Sequence, residues 1–275
     1  MTEAVLSLDH ELCEKPELAG NKAAALARLI RRGYPVPAGA CITTEASSGP
    51  ASRWESALGA RLARIEPPWI VRSSSTAEDS ASHALPGAFV SIAGVGEMSA
   101  LAGAVAEVRS SLDSEAARRR AAGIGVDLRT VKMAVLIQSV LPATAGGVAF
   151  GCDPVTGAPT VVIEANFGLP VTVVDGSITP DSFEAPLRGS LATVRGTKLE
   201  KVVLTESGEV ERRATTDRER AALAISDDVA TRLARLVRRA GELFGAPQDV
   251  EWAAVADQLF LVQSRPVTTV EASDR

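Results

Sequence analysis

The chain has 275 residues, a formal net charge of −5, 46% hydrophobic and 23% charged residues, and only 4% aromatics. That length suits one large domain or two intimate ones with a core of Val, Leu, Ile and Ala, and the acidic balance argues against a general nucleic-acid binder. Membrane spans and secretion signals are not expected, because no apolar run approaches ~20 residues and the first residues lack an apolar stretch. Cys13, Cys41 and Cys152 are far apart in sequence and form no CxxC pair, so they read as reduced thiols rather than a disulfide framework or zinc site. A cytoplasmic protein with neither nucleic-acid nor membrane partners follows by elimination.

In chain order, Ala19-Gly20-Asn21-Lys22 predicts a turn that opens a helix over AAALARLIRRG. Ala25, Leu26, Leu29 and Ile30 share one face of it, and Gly33 is a natural C-cap. An extended Pro-rich link leads to a strand over 40–43. Residues 45–69 read as a small helical insert. A strand over 69–73 feeds the polar loop SSSTAEDSAS, a further strand follows over 90–95, and 97–122 is helical in pattern. A buried strand over 132–140 ends at Leu141-Pro142. The next strand, 147–150, turns through Asp153-Pro154-Val155-Thr156-Gly157 into a return strand over 160–165. Residues 171–214 read as β-rich. An amphipathic helix over 227–244 places Val229, Leu233, Leu236, Val237, Ala240 and Leu243 on one face, with Gly245 after it. Strands over 250–255 and 259–263 form a last hairpin. Helices and strands mix along the chain, so the fold class is α+β. Met1 and the polar tail from Glu271 read as natural ends.

Four places carry polar groups suited to chemistry, and each also has a plain structural reading. Gly20-Asn21-Lys22 opens a helix, where free N–H groups and the dipole favour an anion and Lys22 adds a point charge. It is not a Walker A loop, and a surface lysine near a helix start is the plain alternative. Arg72 ends a strand and precedes hydroxyls, so its planar fork can hold phosphate oxygens. In the same stretch Ser75-x-x-Glu78 is a capping box, which by itself only starts a helix. Gln138-Ser139-Val140 leaves a buried strand where backbone groups can face an adenine, or where the strand simply exits the sheet. Glu251 and Gln263 lie on the two strands of the last hairpin. If the register pairs them, they supply two oxygens to Mg²⁺ shared with ATP phosphates. Arg265 then lies on the same strand face as Gln263 and can neutralise a γ-phosphate. The alternative is a surface hairpin with a weak Glu–Arg pair.

Taken together and in this order, GNKAAALARLIRRGYPVPAGACITT, VRSSSTAEDS, MAVLIQSVLPATAGGVAFGCDPVTG, IEANFGLP, GSITPDSF, FGAPQDVEW and LVQSRPVTT resemble the ATP-binding domain of the phosphoenolpyruvate synthase, pyruvate phosphate dikinase and rifampicin phosphotransferase family. The resemblance runs from residue 20 to 269. It implies an ATP-grasp fold in which two α+β subdomains clamp MgATP: 1–135 with the phosphate-binding Lys and Arg, 136–270 with the adenine hinge and metal-binding hairpin, then a loose tail over 271–275. By matching positions it implies Lys22 and Arg72 on phosphates, Gln138, Ser139 and Val140 at the adenine, Glu251 and Gln263 on Mg²⁺, and Arg265 on the γ-phosphate. Lys22, Arg72 and Arg265 are then the catalytic set, since phosphoryl transfer depends mostly on positioning and charge neutralisation.

Relatives pass the phosphoryl group to a histidine on a separate swivelling domain. This chain has only His10 and His83, neither in a phosphohistidine motif, and His83 reads as an ordinary loop residue. The expected function is therefore an ATP-dependent phosphotransferase module whose acceptor histidine sits on a separate partner protein. Three departures motivate alternatives. The insert at 45–69 is short, Leu85-Pro86-Gly87-Ala88-Phe89-Val90 stands where relatives carry Gly-Gln and an acid, and Gly168-Leu169-Pro170-Val171 replaces Gly-Leu-Gly-Glu. The alternatives are a kinase or acyl-phosphate ligase acting directly on a small molecule, and a non-catalytic nucleotide-binding subunit.

Overall fold

Aliphatic and β-branched runs form strands, and 3.6-residue apolar stripes form the helices that cover them. The structure, a computed structural model, describes residues 3–78 and 88–268. It divides into two compact units, Met1–Val140 with Ser207–Glu209 and Leu141–Glu206 with Val210–Arg275.

The first unit contains β1 (Val5–Ser7), α1 (Pro16–Arg31), β2 (Gly39–Ile42), α2 (Thr44–Ser47), α3 (Glu55–Leu62), β3 (Trp69–Ser75), β4 (Ser91–Val95), α4 (Met98–Ser110), α5 (Glu115–Gly123) and β5 (Met133–Ser139). The strands form an antiparallel sheet in the order β1-β2-β5-β3-β4. Alternation sends Ala40, Ile42, Val71, Val135 and Ile137 into a core with Leu58 and Leu62 of α3 and Leu101, Val105 and Val108 of α4. Burying each of the larger aliphatics contributes about 1.5–3 kcal/mol. The opposite face carries Arg72, Ser74, Leu136 and Gln138, and α1 packs against β3 and β5.

The second unit contains β6 (Ala145–Phe150), β7 (Thr160–Phe167), α6 (Val171–Val174), β8 (Asp181–Pro186), β9 (Ala192–Val194), β10 (Glu200–Leu204), β11 (Val210–Ala214), α7 (Asp217–Ala221), α8 (Asp227–Phe244), β12 (Gln248–Val255) and β13 (Gln258–Pro266). An antiparallel sheet runs β13-β12-β6-β7-β8-β9, and β10–β11 is a separate ribbon. The amphipathic stripe of α8 buries Val229, Leu233, Val237 and Ala240, while the sheet buries Val161, Ile163, Phe183, Val250 and Trp252. Ser226 accepts from Val229 N at one end of α8, and Gly245 closes the other with φ 75°.

Several expectations change. The first unit runs through Val140, and β5 is a central strand paired on both sides within it. Gln138, Ser139 and Val140 thus belong to the N-terminal unit. The tail at 271–275 lies outside the described residues. The helix expected to follow a turn at Ala19-Gly20-Asn21-Lys22 begins instead at Pro16 and breaks at Gly20, which has φ 71° and ψ 168°. A Cβ there would lie 1.8 Å from Ser74 O, so only glycine lets α1 approach β3 this closely. The thiols distant in sequence are not all distant in space: a contact with the Cys13 thiol, then burial, pushes the Cys41 thiol well up. All three cysteines are free and buried. No helix among the described residues is long and apolar enough to cross a membrane.

Candidate functional site

In the first unit the break at Gly20 turns Lys22 toward the end of β3. Lys22 Nζ donates to Glu78 Oε1 at 2.8 Å and to Ser73 O at 3.3 Å, and the residue is only 8% exposed. Ser74 Oγ binds both sides of the break, donating to Ala19 O at 2.7 Å and accepting from Ala23 N at 3.0 Å. One N–H of the expected anion site is therefore spent on Ser74. The capping box forms its reciprocal bonds: Ser75 N donates to Glu78 Oε2 at 2.9 Å and Glu78 N to Ser75 Oγ at 3.0 Å. No helix follows within the described residues, since 79–87, with His83, lie outside them. The box instead presents the Glu78 carboxylate to Lys22.

Arg72 is 8% exposed, pairs in register with Leu136, and shares its sheet face with Gln138. Lys22, Arg72 and Gln138 thus gather on the side of the sheet that carries α1. The Gln138 amide donates to Pro37 O at 2.9 Å. Ser139 alternates to the other face and donates its hydroxyl to Glu66 O at 2.6 Å, so its side chain does not join the group. Val140 N donates to Pro68 O at 2.8 Å, which occupies the backbone donor expected to face adenine.

In the second unit the register pairs Glu251 directly with Gln263, and a β-bulge after Glu251 then pairs Trp252 with Leu261. The paired carboxylate and amide are hard oxygen donors, which fits a Mg²⁺ that completes its shell with phosphate and water. Arg265 pairs with Asp249 in register, and its guanidinium reaches Asp249 Oδ2 from Nε and Nη2, each at 2.7 Å. Asp249 is 9% exposed. Burial pushes its carboxyl up and Glu251 adds to this, while Arg265 pulls it down.

Two acids here were not expected as site residues. Asp249 sits two residues before Glu251 on the same strand face, a signal present in Gln-Asp-Val-Glu-Trp. Glu164 faces Val148, which faces Glu251, so β7, β6 and β12 carry both acids on one face. Burial first, then the Asp249 charge, pushes the Glu164 carboxyl up. Nothing local marks Glu164, because its place depends on two strand registers.

The departures are absorbed by packing. Ala88 and Phe89 are buried with Ala117, Ala121 and Met133, and 85–87 lie outside the described residues. Pro170 takes φ −65° at the start of α6, where its missing N–H costs nothing. Gly168, with φ 78°, lets the turn after β7 approach β10, and Leu169 N donates to Val202 O at 2.7 Å.

The family model described as the pyruvate phosphate dikinase AMP/ATP-binding domain matches residues 51–275. The chain belongs to this family. The matched span holds Arg72, Glu251, Gln263 and Arg265. Rifampicin phosphotransferase of Streptomyces sviceus is 34% identical over 203 residues, covering 74% of this chain and 23% of that protein. A probable phosphoenolpyruvate synthase of Methanothermobacter thermautotrophicus is 34% identical over 146 residues, 52% of this chain and 21% of its own length. The prodigiosin synthesizing transferase PigC of Serratia marcescens is 29% identical over 300 residues, 96% of this chain and 33% of its own. The chain thus spans a quarter or less of the rifampicin phosphotransferases it matches, 23%, 24% and 17% in three of them. Among solved structures, D-alanine–D-alanine ligase from Bacillus anthracis complexed with ATP aligns at a TM-score of 0.44 and 8% identity, covering 95% of this chain and 58% of that one.

Proposed function

We propose that this chain is a MgATP-dependent phosphotransferase module that delivers a phosphoryl group to a histidine outside its own 275 residues. Membership of an AMP/ATP-binding family supports the nucleotide. The observation that carries the reading is the direct pairing of Glu251 with Gln263, with Arg265 on the same face. That arrangement supplies two oxygens for a phosphate-bound Mg²⁺ and a cation for the charge that spreads over the transferring phosphoryl group. Lys22 and Arg72 are the cations that the first unit offers to nucleotide phosphates, and the backbone of Gln138, Ser139 and Val140 is its candidate for the adenine. In the reading of Val140, its carbonyl serves the base, since its N–H is bound to Pro68 O.

An acceptor outside the chain is supported by the histidine inventory. The chain has two histidines. His10 uses Nδ1 to accept from Leu12 N as a helix cap, which is a structural duty. The relatives named above differ in their activities, so the acceptor is a matter for experiment. The test is incubation with γ- and β-labelled MgATP and a histidine-bearing domain of a phosphoenolpyruvate synthase-type enzyme. Acid-labile label on that histidine, dependent on Lys22 and Arg265, is the expected result. ATP turnover to ADP that requires a small acid, amine or alcohol instead would replace this reading with direct small-molecule chemistry. Nucleotide binding without turnover under either condition would favour a non-catalytic subunit.

A further inference from the structure

We propose that Glu78 is a positioning residue that holds the Lys22 ammonium in the orientation a nucleotide phosphate requires. The inference rests on the reading of Lys22 as a phosphate ligand. Lysine carries its charge on a flexible four-carbon stem, so a lysine that must meet a phosphate at one place loses rotamer freedom on binding unless something holds it beforehand. Glu78 is built to do this. Its Oε1 accepts from Lys22 Nζ at 2.8 Å and from Ser73 Oγ at 3.0 Å, and its Oε2 accepts from Ser75 N at 2.9 Å. With three donors on two oxygens and 4% exposure, the carboxylate has little room to move. Ser73 O takes a second Lys22 N–H at 3.3 Å. An ammonium has three N–H groups, and among the described residues these two are the only recorded acceptors.

A second ion pair in the molecule shows what a purely structural pair looks like. Lys198 and Asp181 have 0% side-chain exposure, and Asp181 also accepts from Gly196 N at 2.9 Å and Ala224 N at 2.7 Å. The Lys22 and Glu78 side chains retain 9% and 5% exposure. The Lys198–Asp181 pair is sealed. The Lys22–Glu78 pair keeps a small opening at a lysine that already has its partner and its direction.

The test is a double-mutant cycle read by calorimetric titration of MgATP into wild type, Glu78→Gln, Lys22→Ala and the double variant. Gln keeps the shape of Glu78 with a single acceptor oxygen, which can serve Ser75 N while its amide NH₂ donates to the Ser73 hydroxyl, and it removes the charge that orients Lys22. Glu78→Gln is expected to weaken MgATP by about tenfold in wild type and by less than about twofold in the Lys22→Ala background. Equal weakening in both backgrounds would mean that Glu78 only supports the fold, and unchanged affinity would mean that Lys22 needs no partner. Either result overturns the inference while leaving the nucleotide reading intact. A folded wild type that does not bind MgATP removes both. Should Glu78→Gln lack a cooperative unfolding transition, Ser73→Ala serves instead, since it loosens the same carboxylate oxygen. A loss of about threefold that vanishes with Lys22→Ala supports the role, and no loss overturns it.

Discussion

Lys22 and Arg265 come from the two ends of the sequence, yet each is held by a buried acid, Glu78 in one unit and Asp249 in the other. A cation so held is oriented before any ligand arrives, and a charge interaction there is strengthened by the low local dielectric. Lys22→Ala and Arg265→Ala are each expected to weaken MgATP by about tenfold or more, about 1.4 kcal/mol, in calorimetric titration. Glu164 behaves differently. Its folded-state carboxyl is raised by burial and by Asp249, so it titrates above its unfolded value. Between those two values the folded state binds more protons than the unfolded one, and stability falls as pH rises. In nucleotide-free protein, Glu164→Gln is thus expected to raise the urea midpoint at about pH 7. The gain should fade as pH drops through the raised carboxyl into the ordinary carboxylate range near about pH 4. Midpoints measured across that range decide it, and a gain that grows on acidification would contradict the sign.

The elements show how close backbone approach and buried polar groups position these side chains. α1 seats on β3 only because Gly20 breaks the helix and has no Cβ to meet Ser74 O at 1.8 Å. Gly20→Ala forces both an unfavourable φ and a clash with backbone, and a loss of about 3 kcal/mol is expected by urea unfolding, with MgATP affinity falling alongside it. In the second unit Lys198, just before β10, is buried with Asp181 at the start of β8. Lys198→Met leaves Asp181 a buried charge with two backbone donors but no cation. About 3–5 kcal/mol of destabilisation is expected, and near-wild-type unfolding would show that the carboxylate is already satisfied by Gly196 and Ala224.

At the scale of the whole molecule, a nucleotide that binds only the folded protein must stabilise it. MgATP at about 100 times its Kd should add about 2.7 kcal/mol, raising Tm by several degrees. If Glu251 and Gln263 hold the metal, EDTA should remove most of that shift, and Gln263→Ala should reduce it while leaving the Tm without ligand nearly unchanged. A shift indifferent to EDTA would separate nucleotide binding from the hairpin.

The α+β class, most strands and helices, and the candidate residues Lys22, Arg72, Glu251, Gln263 and Arg265 were legible in the sequence by itself. Each depends on short-range information: a 3.6-residue stripe in α8, alternation along β12 and β13, a glycine before a helix, and an ordered set of family stretches. Tertiary structure alone decided the rest. Glu78 reads locally as a helix cap, and only the seating of α1 on β3 brings it to Lys22, 56 residues away in sequence. Glu164 joins the face of Glu251 through two strand registers, and Val140 belongs to the first unit because β5 is hydrogen-bonded on both edges there. Periodicity tells a residue which face it occupies, whereas the neighbour it meets is set by which distant strands pair and how closely their backbones can approach.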